Sequence, residues 1–183
     1  VTIRFVEPKD AVQILDIYQP FILRTSVSFE TEVPSLEAFQ NRIENYAEKA
    51  PWLVAEENNT IIGYAYATVH RSRQAYQWNQ EVTAYTHPEH LRKGVAKALY
   101  LKLLSYLKKM GYAKAIAIIT LPNDPSLKFH QALGFQLIGI MKNVGYKFNQ
   151  WHDTSWWDIQ LQNSAYQPTS IWTMDQLKAV VNG

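Results

Sequence analysis

The run Leu91-Arg92-Lys93-Gly94-Val95-Ala96 lies between an alternating strand pattern and a long helical one, and its residue types suit chemistry. A glycine followed by a small residue lets successive backbone N–H groups point outward where a helix begins. The helix end adds a favourable partial charge, so an anion such as a diphosphate can rest there. Arg92 and Lys93 bring positive charge to the same place. The run lacks the Gly-Lys-Ser/Thr ending of a Walker A loop. It also lacks two of the three glycines of the dinucleotide fingerprint and does not follow the first strand. Two readings remain: an ordinary helix start behind a basic loop, or a phosphate-bearing cofactor held by one loop and one helix end. The chain has no cysteine, which removes thiolate nucleophiles, disulfides and sulfur-ligated metals together. His87, Glu89 and His90 crowd together but straddle a proline and a helix entrance without further ligand spacing, so no metal is expected.

The elements around that run follow from periodicity. Ile3 to Val6 reads as a strand. Asp10 and Gln13 have capping-box spacing ahead of a helix carrying Ile14, Ile17 and Tyr18, which Pro20 should end or kink. Residues 25–31 form a loop. Leu36, Phe39, Ile43, Tyr46 and Ala50 form the apolar stripe of a second helix. Trp52–Glu56 and Ile61–Val69 read as a hairpin about Asn58-Asn59, with Gly63 marking either a bulge or a crowded crossing. A polar loop, 70–77, leads to a strand over 80–86. Val95, Leu99, Leu103, Leu107 and Met110 then mark a long helix stopped by Gly111. Ala115–Leu121 is a buried strand, and a short helix capped by Asn123 or Asp124 ends near Gly134. Strands are expected over 135–141 and 156–161. The sum is an α+β domain with a mixed sheet over residues 1–162. Residues 163–183 add a linker and a short helix with Met174, Leu177 and Val181 on one side, packing on the domain or on a partner.

With 183 residues, one core is expected. Eighteen Lys and Arg against 16 Asp and Glu leave a net charge of only +2, too small for a nucleic-acid-coating surface. No apolar run approaches the roughly 18 residues that cross a bilayer. The opening residues alternate like a strand rather than building a signal peptide, so a cytoplasmic location is expected.

Residues Gln80 to Met110 resemble the acyl-CoA pyrophosphate site of the GNAT N-acetyltransferase superfamily. Gly94 and Ala96 match its pattern, while Leu91 stands where Gln or Arg is usual. Further stretches are similar to the phosphinothricin and methionine-sulfone acetyltransferase branch: Thr25–Glu32, Pro51–Glu56, Ala75–Glu81, Leu121–Ser126 with His130 and Ala132–Phe135, Gly145–Lys147, and Trp151–Asp153 before Trp156-Trp157. The resemblance spans roughly residues 2 to 161. It implies acetyl transfer from acetyl-CoA, without a metal, to the α-amino group of a small amino acid with a tetrahedral oxygen-bearing side chain, by a homodimer. Detoxification and herbicide resistance are the roles that go with it.

The same resemblance assigns roles. Glu81 is the general base and His130 a cleft residue: an acid for the departing thiolate, a cofactor contact, or a side chain packed with Leu127 and Leu133. Cofactor contacts fall on Thr83, Ala84, Tyr85 and Thr86, where backbone N–H groups near Val82–Tyr85 would polarise the thioester. They continue through Leu91, Arg92, Lys93, Gly94, Val95 and Ala96. Asn123, Ser126, Lys128 and Phe129 complete them, the Asn123 strand splaying from its neighbour to admit the pantetheine arm. The acceptor would meet Phe29, Arg71, Arg73, Tyr76, Glu81, Tyr85 and Thr154. Arginine forks suit tetrahedral oxyanions. Ser28 replaces an asparagine common in the branch. The alternatives are another amine acceptor on the same fold, or a CoA-binding protein without turnover.

Overall fold

The computed structural model describes residues 1–163 and 165–181. Seven strands form one sheet among these residues, in the order β1-β2-β3-β4-β5-β7-β6. The strands are β1 (Thr2–Phe5), β2 (Trp52–Glu57), β3 (Thr60–Val69), β4 (Asn79–Thr86), β5 (Lys114–Thr120), β6 (Gln136–Lys147) and β7 (Gln150–Gln160). The helices are α1 (Ala11–Arg24), α2 (Leu36–Ala47), α3 (Val95–Met110), α4 (Asp124–Ala132) and α5 (Met174–Val181). Only β4 and β5 pair in parallel. One face packs Val54, Tyr64 and Trp52 against Ile14, Ile17, Phe39 and Ile43 of α1 and α2. The other packs Leu53, Ala65 and Val82 against Leu99, Leu103 and Leu107 of α3. The α+β fold expected from the sequence is the one observed.

Several details depart from expectation. Asp10 does not cap α1. Its carboxylate is taken by the Arg4 guanidinium at 2.7 and 2.9 Å and by the Glu7 N–H, while Gln13 accepts the Ile61 N–H at 2.8 Å. Pro20 neither ends nor interrupts α1. The helix continues to Arg24 because Ile22 carries the buried stripe onward. The last two strands are longer than periodicity indicates and join through Phe148-Asn149, both at positive φ, as a two-residue hairpin requires. At Gly63 both readings hold. The β2–β3 register shifts beside it, and a β-carbon there would lie 3.0 Å from Val95 Cγ1, so α3 crosses close.

The tail docks on its own domain. The Trp172 N–H reaches the Met110 carbonyl at 2.8 Å, Tyr166 Oη donates to the Gly111 carbonyl, and Met174 and Leu177 are buried. Ser164, Asn182 and Gly183 of the expected tail lie outside the described residues. Among those residues, no helix is long and apolar enough to cross a membrane.

Candidate active site

The parallel pairing of β4 with β5 lasts three residues, from Asn79 opposite Lys114 to Glu81 opposite Ile116. Past Glu81 a cavity of about 430 Å³ fills the space between the strands, lined by Val82–Tyr85 on one side and Ala117–Thr120 on the other. Backbone donors and acceptors on the inner edge of β4 therefore have no strand partner there, and buried backbone groups demand one. An extended, amide-bearing chain laid in the wedge would supply it.

At the mouth of the wedge α3 begins. Gly94 sits at φ +82°, and a β-carbon on it would meet nothing within 4 Å. No side chain caps the helix start, so its first N–H groups remain open, with Arg92, Lys93 and Lys97 exposed around them. These features fit a diphosphate. Leu91 is also exposed, Ala96 is half-buried, and Val95 is buried in the core, leaving Val95 only its backbone to offer a ligand.

Under the wedge, α3 and α4 bring Tyr100 and His130 together. His130 Nδ1 lies 2.8 Å from the Ser126 carbonyl, which can only accept, so Nδ1 carries the proton. Nε2 then accepts from the Tyr100 hydroxyl at 3.0 Å, and that hydroxyl also faces the Val82 carbonyl at 3.3 Å. Tyr100, Phe129 and Phe135 present ring edges to the imidazole at 5.1–5.3 Å. Burial pushes the His130 pKa below its ordinary value, and the Ser126 carbonyl only partly opposes this. Burial also drives Tyr100 well above the usual phenol range. The resting pair is therefore neutral, with both imidazole nitrogens engaged. Asn123 serves in two ways: its Oδ1 accepts the Ser126 N–H at 3.3 Å as the α4 cap, and the residue lines the cavity.

The loop between α1 and α2 closes the other wall with Val27, Ser28, Phe29 and Glu30. A buried lysine fixes it. Lys147 Nζ donates to the carbonyls of Ile22 at 2.7 Å, Thr25 at 2.9 Å and Ser28 at 2.7 Å. Burial lowers the Lys147 pKa, and the Glu30 charge works the other way. Ser28 Oγ contacts the Tyr18 hydroxyl at 2.7 Å, and Tyr18 and Arg42 both bind the Glu30 carboxylate. The Tyr18 phenol is pushed up to about 12, chiefly by burial. Phe29 rests over Gly145, where a β-carbon would run into its ring.

Of the residues expected at the site, Phe29, Thr83, Ala84, Tyr85, Asn123, Ser126 and His130 share this cavity. Arg71, Arg73 and Tyr76 line a second one of about 420 Å³ with His70 and Ser72. Glu81 lies on the same face of β4 as Thr83, two residues before it, and its Oε1 is 2.8 Å from His70 Nδ1. Thr154 is buried opposite cavity-lining Thr120 and accepts the Trp156 indole N–H. Thr86 is buried and paired with Gly63, Lys128 is exposed, and Phe129 packs against Tyr100 and His130, all three outside the cavity lining. Tyr18, Glu30, Tyr66, Tyr100, His70 and Lys147 stand at or beside the site without being among the residues expected there. Tyr18 and Tyr100 sit on buried helix faces and read as core, Glu30 and Lys147 lie in stretches that resemble the family without a role of their own, and Tyr66 and His70 carry no local pattern. No group of three or more His, Asp or Glu side chains gathers as metal ligands among the described residues.

A mixed sheet that opens into a wedge at the head of a long, uncapped helix is the arrangement the resemblance implies. The chain belongs to the GNAT acetyltransferase family, residues 3–156 matching the family model described as an acetyltransferase (GNAT) domain. It is 36% identical to a phosphinothricin N-acetyltransferase of Streptomyces viridochromogenes, with 86% of each chain covered. It is 31% identical to an L-methionine sulfoximine/L-methionine sulfone acetyltransferase of Salmonella typhimurium, over 90% of this chain and 97% of that one. Among solved structures, a phosphinothricin acetyltransferase from Sinorhizobium meliloti in complex with AcCoA superposes with a TM-score of 0.87 at 34% identity, covering 92% of both chains. The protein is thus an acetyl-transferring GNAT enzyme related to the phosphinothricin acetyltransferases.

Proposed function

We propose that the protein, a homodimer working in the cytoplasm, moves the acetyl group of acetyl-CoA directly to the α-amino group of a small amino acid with a tetrahedral, oxygen-bearing side chain. Phosphinothricin, methionine sulfone and methionine sulfoximine are the acceptors of choice, and their detoxification is the physiological role. The observation that carries this reading is the position of Glu81, at the point where β4 and β5 part and hydrogen-bonded to His70, which lines a cavity with Arg71 and Arg73. The pyrophosphate rests on the Gly94 turn with Arg92 and Lys93, and the pantetheine arm lies in the wedge beside Asn123. Glu81 takes a proton from the acceptor's ammonium, directly or through a water, which frees the nitrogen lone pair. The amine attacks the thioester carbon, and β4 N–H groups hold the oxyanion. The C–S bond breaks, the nitrogen sheds its second proton to the departing thiolate, and CoA leaves as the thiol. Arg71 and Arg73 pair with the tetrahedral side-chain oxygens, and Phe29, Tyr76, Tyr85 and Thr154 complete the acceptor site.

The test is thiol release from acetyl-CoA with each of the three acceptors, comparing the wild type with Glu81→Gln. A general base contributes ~10²- to 10⁴-fold, and a loss of that order is expected in the variant. Turnover that survives the substitution removes Glu81 from its role. Turnover with polyamines in place of the three amino acids would overturn the acceptor class.

A further inference from the structure

His70 is an unassigned side chain in direct contact with the residue read above as the base. Its Nδ1 lies 2.8 Å from Glu81 Oε1, and its side chain is 11% exposed. It follows the end of β3, whose Thr68 is the register partner of Glu81, so the contact is set by strand pairing. Two rings hold the imidazole edge-on: Tyr76 at 6.0 Å and 79°, and Trp156 of β7 at 6.2 Å and 75°. An imidazole fixed from three elements loses little further freedom when it makes a hydrogen bond.

We infer that His70 is the positioning residue of the base, donating Nδ1–H to Glu81 Oε1 so that the carboxylate stays in one rotamer and Oε2 is presented to the acceptor ammonium. This rests on the reading of Glu81 as the base. An ionised carboxylate offers only acceptors, so the contact requires the proton on Nδ1. A charge-assisted donor of this kind is worth more than a neutral one, so it holds the carboxylate more firmly in that rotamer. The proton arriving from the ammonium is taken on Oε2 while Nδ1–H stays in place, and Glu81 then releases it to solvent.

The test is a cycle of Glu81→Gln, His70→Phe and the double variant, with His70→Asn as the conservative replacement that keeps an N–H donor. Activity is read as thiol release with phosphinothricin and methionine sulfone, and folding by thermal midpoint. Expected are a roughly tenfold fall in kcat for His70→Phe, part of the range a general base supplies, with the KM for acetyl-CoA unchanged. Partial recovery is expected in His70→Asn, and no further loss when His70→Phe is added to Glu81→Gln. An equal, additive loss in both backgrounds would reduce His70 to a structural residue. Full activity in His70→Phe with Glu81→Gln inactive would sink this inference alone, whereas full activity in Glu81→Gln would sink the base itself. Independently of any acceptor, long-range proton–nitrogen spectra should show the Nδ1–H tautomer at His70, and an Nε2–H tautomer would overturn the proposal.

Discussion

Each polar side chain under the wedge has its partners fixed by what its neighbours can donate. His130 shows the consequence. With Nδ1–H on the Ser126 carbonyl and Nε2 accepting from Tyr100, it is stable as a neutral imidazole, and burial places its pKa below the ordinary 6.5. The unfolded chain titrates at that ordinary value and so binds a proton that the native state does not. Stability from this group is therefore complete above about pH 6.5. It falls as the pH drops below 6.5, and levels once the native His130 also protonates. Urea midpoints between pH 7.5 and 5 should decline for the wild type, and His130→Gln should flatten that slope while lowering the plateau. A variant that kept the full slope would assign the acid sensitivity to other groups. Carboxylates contribute lower down: burial would raise the Asp10 pKa, but the hydrogen bond from Arg4 wins and holds it below its ordinary value, so its share is lost only in strong acid.

At the scale of elements, the proposed acceptor wall is a loop whose shape is dictated from the far end of the sheet. Lys147 closes β6 and ties the α1 C-terminus to Ser28 through three carbonyls. Lys147→Met removes all three donors at once. Buried polar groups left unpaired cost about 1–3 kcal/mol each, though a loop can turn some of them to water, so a destabilisation of about 2–3 kcal/mol is expected. Because Phe29 and Glu30 ride on that loop, the acceptor KM should rise several-fold while the KM for acetyl-CoA stays put. A change in the acetyl-CoA KM of the same size would mean that the wedge, not the loop, had moved. This clamp also marks where the sequence stops being legible. The α3 stripe, the Gly111 stop, the Asn58-Asn59 turn and the Asn123 cap are local patterns, and each is found where the sequence places it. The insertion of β7 between β5 and β6, the Lys147 carbonyl cage and the His70–Glu81 contact join residues that no local periodicity relates. Asp10 is the complementary case, where correct capping-box spacing yields to the guanidinium of Arg4, six residues back on β1, a charged partner with a stronger claim.

For the whole molecule, the outer edge of the sheet raises the question of assembly. Among the described residues β6 has no neighbour beyond it, and with β7 it exposes Leu137, Ile138, Ile140, Met141, Tyr146 and Trp151, the last 60% accessible. A long apolar edge left bare is an aggregation hazard that natural sheets blunt or cover. Charge is sparse there: Lys142 is already paired with Asp153, and Lys147 is buried in its cage. A second copy of the chain is the occupant the proposed function calls for, and a stable interface would need to bury upward of about 1,000 Å². The β6–β7 hairpin also carries Gly145 and His152 against Phe29, so covering this edge would brace the acceptor wall from behind. Light scattering after size exclusion at micromolar concentration should give a dimer for the wild type and a monomer for the double variant Ile138→Lys, Trp151→Lys. The monomer should keep its affinity for acetyl-CoA, whose proposed seat at the Gly94 turn is on the opposite side of the wedge, and lose several-fold in acceptor KM. A wild-type monomer would refute the assembly outright. A monomeric variant with unchanged acceptor kinetics would leave the dimer standing but free the acceptor wall from any dependence on it.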